Sequence, residues 1–266
     1  MKRSTLALVC ALSLSIVGHA TTSRNGFVES ADARNVALLV GVTYGLPGID
    51  LDLNNVREIA THPGYKFDVN ELWEEEGSVS NVAKNLTDLS ASVTDGGTLF
   101  FYFSGHGSKD GLLMDDRLMK IGEIRAAIEK GRAGKAPLER LVMMFDSCYS
   151  GALLNGVRKV SHQREDARAS EEFANALVKE LQIANGRDTY WKKLFVFASS
   201  RADETSAAGS NGSAFTVNMR KAFDEAVLAK AKVSEFVTKT QKYTASYHHP
   251  VARLVPVTLG DEALVP

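Results

Sequence analysis

Four stretches of the chain are apolar for the length of a β-strand with almost no polar interruption. They are Val36 to Val42, the body of Gly97 to Gly107, the start of Leu141 to Gly151, and Leu194 to Ala198. A strand that is half exposed alternates; one that is apolar throughout must be covered on both faces, as in the middle of a parallel sheet. Between these runs the period lengthens to that of a helix. Leu53, Val56, Ile59 and Ala60 space a helix that opens near Asp50 and ends at His62-Pro63-Gly64. Val79, Val82, Leu86, Leu89 and Val93 space a second across Ser78 to Val93. Further helices are predicted over Ile121 to Lys130, Glu171 to Ile183, Phe215 to Val227 and Val233 to Tyr247. Tyr65 to Trp73 supplies a further strand, Ser108 to Lys120 a hairpin turning at Asp115-Asp116, and His248-His249-Pro250 the start of a last extended piece. Strands alternating with helices predict an α/β fold, a three-layer α/β/α sandwich with a mainly parallel central sheet.

The first twenty residues follow a different pattern. Lys2 and Arg3 precede an apolar stretch from Leu6 to Val17, and Gly18-His19-Ala20 places small residues at the −3 and −1 positions of a cleavage site. This is the layout of a secretory signal peptide (residues 1–20), cut after Ala20, and the apolar run is short for a membrane span. The expectation is export to the periplasm or beyond, with no stable membrane insertion afterwards. From Asn35 to the end (residues 35–266) a single domain is expected, since no repeat, low-complexity tract or Pro-rich linker divides it. The 31 basic and 32 acidic residues leave a formal net charge of -1, so charge gives no argument for a nucleic-acid partner. Gly41, Gly45 and Gly48 fit neither phosphate-binding fingerprint.

Two apolar runs end in reactive residues. One passes into Ser104-Gly105-His106-Gly107 and the other into Asp146-Ser147-Cys148-Tyr149-Ser150-Gly151. The C-terminal edge of a parallel sheet is where ligands bind, so both runs deliver their polar ends to that edge. With Cys10 removed in the signal peptide, Cys148 is the single cysteine of the mature chain, and a lone thiol in an exported protein marks a reactive group or an intermolecular bridge. A thiolate attacks amide carbonyls when a base stands by, and His is its usual partner, able also to protonate the leaving amine. The other histidines lie in turns, loops or the signal peptide without a partner cysteine, so no metal site is expected.

H-G after one apolar strand and D-S-C-Y-S-G after a later one, in this order, resembles the caspase-fold clan of cysteine peptidases, most closely the metacaspases and their bacterial relatives. The similarity runs from about Val36 to Thr216. It implies a His106/Cys148 dyad, an oxyanion hole made by the N–H groups of Gly107 and Cys148, and protein or peptide substrates. The metacaspase pattern L-x-G-x-x-x-D is met by Leu46, Gly48 and Asp52, and the resemblance puts Asp52, Ser104 and Asp146 in the S1 pocket. Two carboxylates there favour Arg or Lys at P1 and repel Asp. An acid at Asp52 also suits the cap of a helix. Many metacaspases bind calcium through a long acidic insertion. Here the stretch directly after His106 is short and holds only Asp110, Asp115 and Asp116, so no cofactor and no calcium dependence is expected. Other readings remain open: a legumain-like member of the clan preferring Asn, a thiol acyl-transferase, and a non-catalytic binding module on the same fold. Asn155 to Arg168 reads as a polar surface segment, and Arg158, Lys159, Arg164 and Arg168 are its candidate self-cleavage sites.

Overall fold

The computed structural model describes residues 35–148, 163–186, 189–199, 212–246 and 249–265, with the side chains of Cys148 and residues 163–170 left out. The expected signal peptide (residues 1–20), Arg158, Lys159 and most of the loop after Leu194 to Ala198 lie outside the described residues. In chain order the elements are β1 (Asn35–Gly41), α1 (Ile49–Ala60), β2 (Asp68–Trp73), α2 (Val79–Ser92), β3 (Thr98–Ser108), β4 (Gly111–Leu113), β5 (Leu118–Lys120), α3 (Ile121–Arg132), β6 (Leu138–Cys148), α4 (Gln163–Asn185), β7 (Trp191–Ser199), α5 (Ala214–Leu228), α6 (Val233–Thr244) and β8 (Val251–Val255).

The strands order as β2-β1-β3-β6-β7-β8, parallel throughout except for β8, which runs antiparallel to β7. The most apolar strands are the inner ones, as their lack of alternation requires. Helices α2, α3 and α4 pack their apolar stripes on one face through Val82, Leu86, Ile124, Ile128, Phe173 and Leu177. Helices α1, α5 and α6 cover the other through Leu53, Val56, Met219, Phe223, Val233 and Phe236. The expected three-layer sandwich is the one observed.

Helix α4 differs from expectation, because it begins at Gln163 rather than near Glu171. Arg164 and Arg168 therefore sit on helical backbone, not in an irregular surface segment. The first turns of α4, Gln163 to Ser170, are polar but for Ala167 and Ala169 and lack an apolar stripe, so periodicity could not detect them. Arg132, 2% exposed, closes α2: its guanidinium donates to the carbonyls of Ser90 (2.7 Å) and Val93 (3.0 Å), which have no helical partner.

At the sheet's N-terminal edge an ion-pair chain ties the C-terminal residues to the strands. Glu262 pairs with Arg140 (2.6 Å) and Lys193 (2.8 Å), and Lys193 pairs with Glu139 (3.0 Å). Bonding to Lys193 and Lys192 lowers the Glu139 carboxyl, and bonding to Glu262 and Glu139 raises the Lys193 ammonium. A lowered acid stabilises the fold above its unfolded pKa and is lost as pH falls through the folded one; a raised lysine stabilises below its unfolded pKa and is lost as pH rises through the folded one. The network is therefore expected to contribute most between the carboxylate and lysine ranges. Glu262→Gln should lower the melting temperature at neutral pH, and the gap from wild type should close on acidification through the carboxylate range, as thermal scans across pH will read.

Candidate active site

The register of β3 against β6 pairs Ser104 with Asp146, Gly105 with Ser147, and His106 with Cys148. Strand positions alternate between faces, so Phe100, Tyr102, Ser104 and His106 share one face, and Val142, Met144, Asp146 and the Cys148 position lie on the same one. The packing agrees, since Phe100, Tyr102 and Met144 belong to the cluster under α1, α5 and α6. Neighbouring strands run about 4.8 Å apart, so the His and Cys positions are adjacent at the strand ends. The chain reverses direction across the sheet between β1 and β3, and that switch point is where an α/β sheet opens a crevice.

Gly105 is required between Ser104 and His106, because a Cβ there would stand 2.7 Å from the Val42 carbonyl oxygen and 2.8 Å from the Phe103 ring. Beyond it the strand leaves the sheet, and Gly107 and Ser108 pair with Leu112 and Gly111 of the β4–β5 hairpin. His106 is 2% exposed. The Tyr44 ring lies 6.4 Å from the imidazole at a 47° tilt, and its hydroxyl donates to the Met114 carbonyl at 3.0 Å. Desolvation, followed by the charges of Asp115, Asp116 and Glu74, raises the Tyr44 hydroxyl above the ordinary tyrosine range, so it stays a donor.

Just below the His and Cys positions, two carboxylates are fully buried. Asp52 accepts from the Ser104 hydroxyl (2.8 Å) and from the Ser213 backbone N–H (2.7 Å). Asp146 accepts from the Thr216 hydroxyl (2.9 Å) and from the Ser213 hydroxyl. One residue, Ser213, thus holds both acids, and it is also the N-cap of α5, its Oγ accepting from the Thr216 N–H at 3.2 Å. Asp52 lies in the first turn of α1, whose N-cap is Gly48 with no side-chain cap bond. Asp52 is therefore not the cap of its helix; its oxygens face Ser104 and Ser213.

Buried charge is tolerated only where donors and fields compensate it. Here hydroxyls, a backbone N–H and the positive ends of two helices act together, each helix end contributing about 0.3–2 kcal/mol. Gly212 makes room for this: at φ +106 it is in a conformation side chains avoid, and a Cβ would lie 2.7 Å from the Asp52 carboxylate. Tyr102 completes the cluster. Its hydroxyl is 3.0 Å from that of Thr216, and since the Thr216 proton goes to Asp146, Tyr102 donates.

Of the residues singled out from sequence, Asp52, Ser104, His106 and Asp146 come together on one face, with Gly107 and the backbone of Cys148 alongside. Arg164 and Arg168 are on α4, and Arg158 and Lys159 lie outside the described residues. Tyr102, Ser213 and Thr216 were missed. Ser213 could have been found as the Ser preceding the Phe215 helix, but nothing local points to its second partner, Asp146, 67 positions away.

A sequence model of the caspase domain matches residues 34–251. The chain belongs to the caspase-domain family. Metacaspase-1 of Mycosarcoma maydis is 28% identical over a 153-residue alignment that covers 48% of this chain and 38% of that protein, so the chain spans well under half of its relative's length. The crystal structure of a Geobacter sulfurreducens protein superposes with a TM-score of 0.58 at 18% identity, covering 83% of this chain and 93% of the other. At that identity the likeness is one of fold. For this caspase-domain chain the Ser213 bridge carries a direct expectation. Ser213→Ala removes a cap and a donor to a buried acid, and should cost about 1–3 kcal/mol in urea unfolding; Ser213→Thr, which keeps the hydroxyl, should recover most of it.

Proposed function

We propose that this chain is an exported cysteine endopeptidase that cleaves after Arg or Lys. The observation that carries this reading is the single sheet face on which register-paired His106 and Cys148 stand directly above two buried carboxylates. The Cys148 thiolate attacks the scissile carbonyl carbon, forming a C–S bond. His106 takes the thiol proton and gives it to the amine as the C–N bond breaks, and water then hydrolyses the thioester with His106 as base. The backbone N–H groups of Gly107 and Cys148 are the proposed donors to the oxyanion. Gly107 suits this role, being the first partly exposed position of β3 after a buried run.

Specificity follows from charge. An Arg or Lys side chain entering between Asp52 and Asp146 would bring a positive charge to two carboxylates, whereas an Asp would add a third negative charge. No calcium requirement is proposed.

Self-processing is part of the reading. The segment between β6 and β7 carries Arg158, Lys159, Arg164 and Arg168. A protease active site takes extended backbone, so helical Arg164 and Arg168 are poorer sites than Arg158 and Lys159. The halves would stay together through the β6–β7 ladder, which runs from Leu138–Trp191 to Asp146–Ser199.

Cys148→Ala should fold and be inert, and one equivalent of iodoacetamide should abolish wild-type activity; full activity in the variant would end the proposal. In a scan of fluorogenic peptides, with and without a calcium chelator, Arg and Lys at P1 should be cut and Asp ignored. Cleavage after Asn instead would favour the legumain-like reading. Asp146→Ala should reduce kcat/KM for Arg substrates by roughly 2–5 kcal/mol, as for removing one side of a buried charge pair.

New N-termini after Arg158 or Lys159 should form in the wild type and not in Cys148→Ala. Equal nicking in both, or an intact and fully active wild type, would refute self-processing.

A further inference from the structure

The sheet face that carries the carboxylates at its C-terminal edge encloses a cavity of about 400 Å³ at its N-terminal edge. Phe100, Val142, Met144 and Phe195 form its floor on the sheet, and Phe223 and Phe236 are among the helix side chains above. Interiors are close-packed, with few voids larger than a water molecule, so a space this size between sheet and helices is unusual. A dry cavity of about 150 Å³ already holds benzene, and ligand pockets begin near about 300 Å³. The walls are hydrocarbon and aromatic, with a small polar set at one end.

The charged residues lining that polar end are Arg140 and Glu139. Behind the lining, Lys192 and Lys193 pair with Glu139, and Lys193 and Arg140 with Glu262. Asn35, which also lines the cavity, is satisfied: its amide donates to the Tyr65 carbonyl at 2.8 Å and accepts from the Thr98 N–H at 3.1 Å. Arg140 is not. It lines the cavity, its Nη2 is taken by Glu262, and its Nε is buried with no acceptor among the described residues. A buried donor left unmatched is costly and calls for a partner.

We propose that this cavity binds a monocarboxylate with an apolar body, such as a medium-chain fatty acid. The hydrocarbon lies among the aromatic side chains and the carboxylate meets Arg140. A charge-assisted bond to a guanidinium is about twice as strong as a neutral one, so the head selects an acid over an alcohol of equal length. The site is separate from the proposed catalytic edge and does not depend on peptidase activity.

Titration calorimetry with decanoate below its micellar concentration, on the Cys148→Ala full-length domain, tests this. One saturable site is expected, together with a rise in melting temperature that grows with ligand concentration. 1-Decanol should bind about tenfold more weakly, the loss of one charge-assisted bond. Val142→Trp fills the cavity from the sheet side and should weaken decanoate binding by at least about tenfold. Should that variant fail to fold by far-UV circular dichroism, Val233→Phe closes the cavity from α6. Arg140→Lys, which keeps the charge beside Glu262 and removes Nε, should narrow the preference for acid over alcohol. No saturable heat with wild-type cavity residues, undiminished binding in a folded filled variant, or equal affinity for decanol and decanoate would each overturn the proposal.

Discussion

Two carboxylates buried side by side in one interlayer are the constraint to which the C-terminal edge of this sheet is fitted. Asp52 and Asp146 are both fully buried, and each accepts from a side-chain hydroxyl. Their charge is met by hydroxyls, one backbone N–H and the first turns of α1 and α5. For both helix ends to reach the acids they must nearly touch, and they do: a Cβ on Gly48 would lie 3.3 Å from the Gly212 Cα. Ser213 couples the three elements, since its N–H serves α1's acid, its hydroxyl serves β6's acid, and the same oxygen caps α5. A change in one of these bonds moves the others, because all of them share one residue.

What was legible in the sequence follows from how far apart the interacting residues are. The inner strands announced themselves because burial on both faces forces an unbroken apolar run, and the reactive residues because they interrupt such runs at the same end. Asp52 looked like a helix cap on local evidence; its contact with Ser104, 52 residues on, is long-range and has no local signal. Ser213 and Thr216 looked like an ordinary helix start, which they also are. Helix α4 was cut short because its first turns offer no large apolar residue, and periodicity reports only on turns that bury a stripe. The cavity has no sequence signature at all, since every residue lining it would also serve as packing.

The two ends of this sheet face impose opposite demands on the same layer. At the C-terminal edge the space between sheet and helices is polar and filled with donors; at the other edge it is aromatic and open. Alternation alone cannot arrange this, because Thr98, Phe100, Tyr102, Ser104 and His106 all point the same way along β3. The sequence therefore grades the face along its length, from apolar to hydroxyl to imidazole. Helices α1 and α5 follow the same gradient, with Asp52 and Thr216 at one end and Ile59 and Phe223 at the other.

Tyr102 stands where the gradient turns. Its ring belongs to the apolar cluster and its hydroxyl to the carboxylate cluster, where it donates to Thr216. Burial, then the charges of Asp52 and Asp146, raises that hydroxyl far above the ordinary tyrosine range. It is therefore a permanent donor at any pH at which the fold exists, and never a third anion beside two acids. Phenylalanine would fill the same volume and leave the Thr216 oxygen without this donor. Serine would keep a hydroxyl but could not span from the apolar layer to Thr216. The position needs a large ring with a polar tip, which is how a single side chain can close the hydrocarbon layer on one side and complete a buried acidic site on the other.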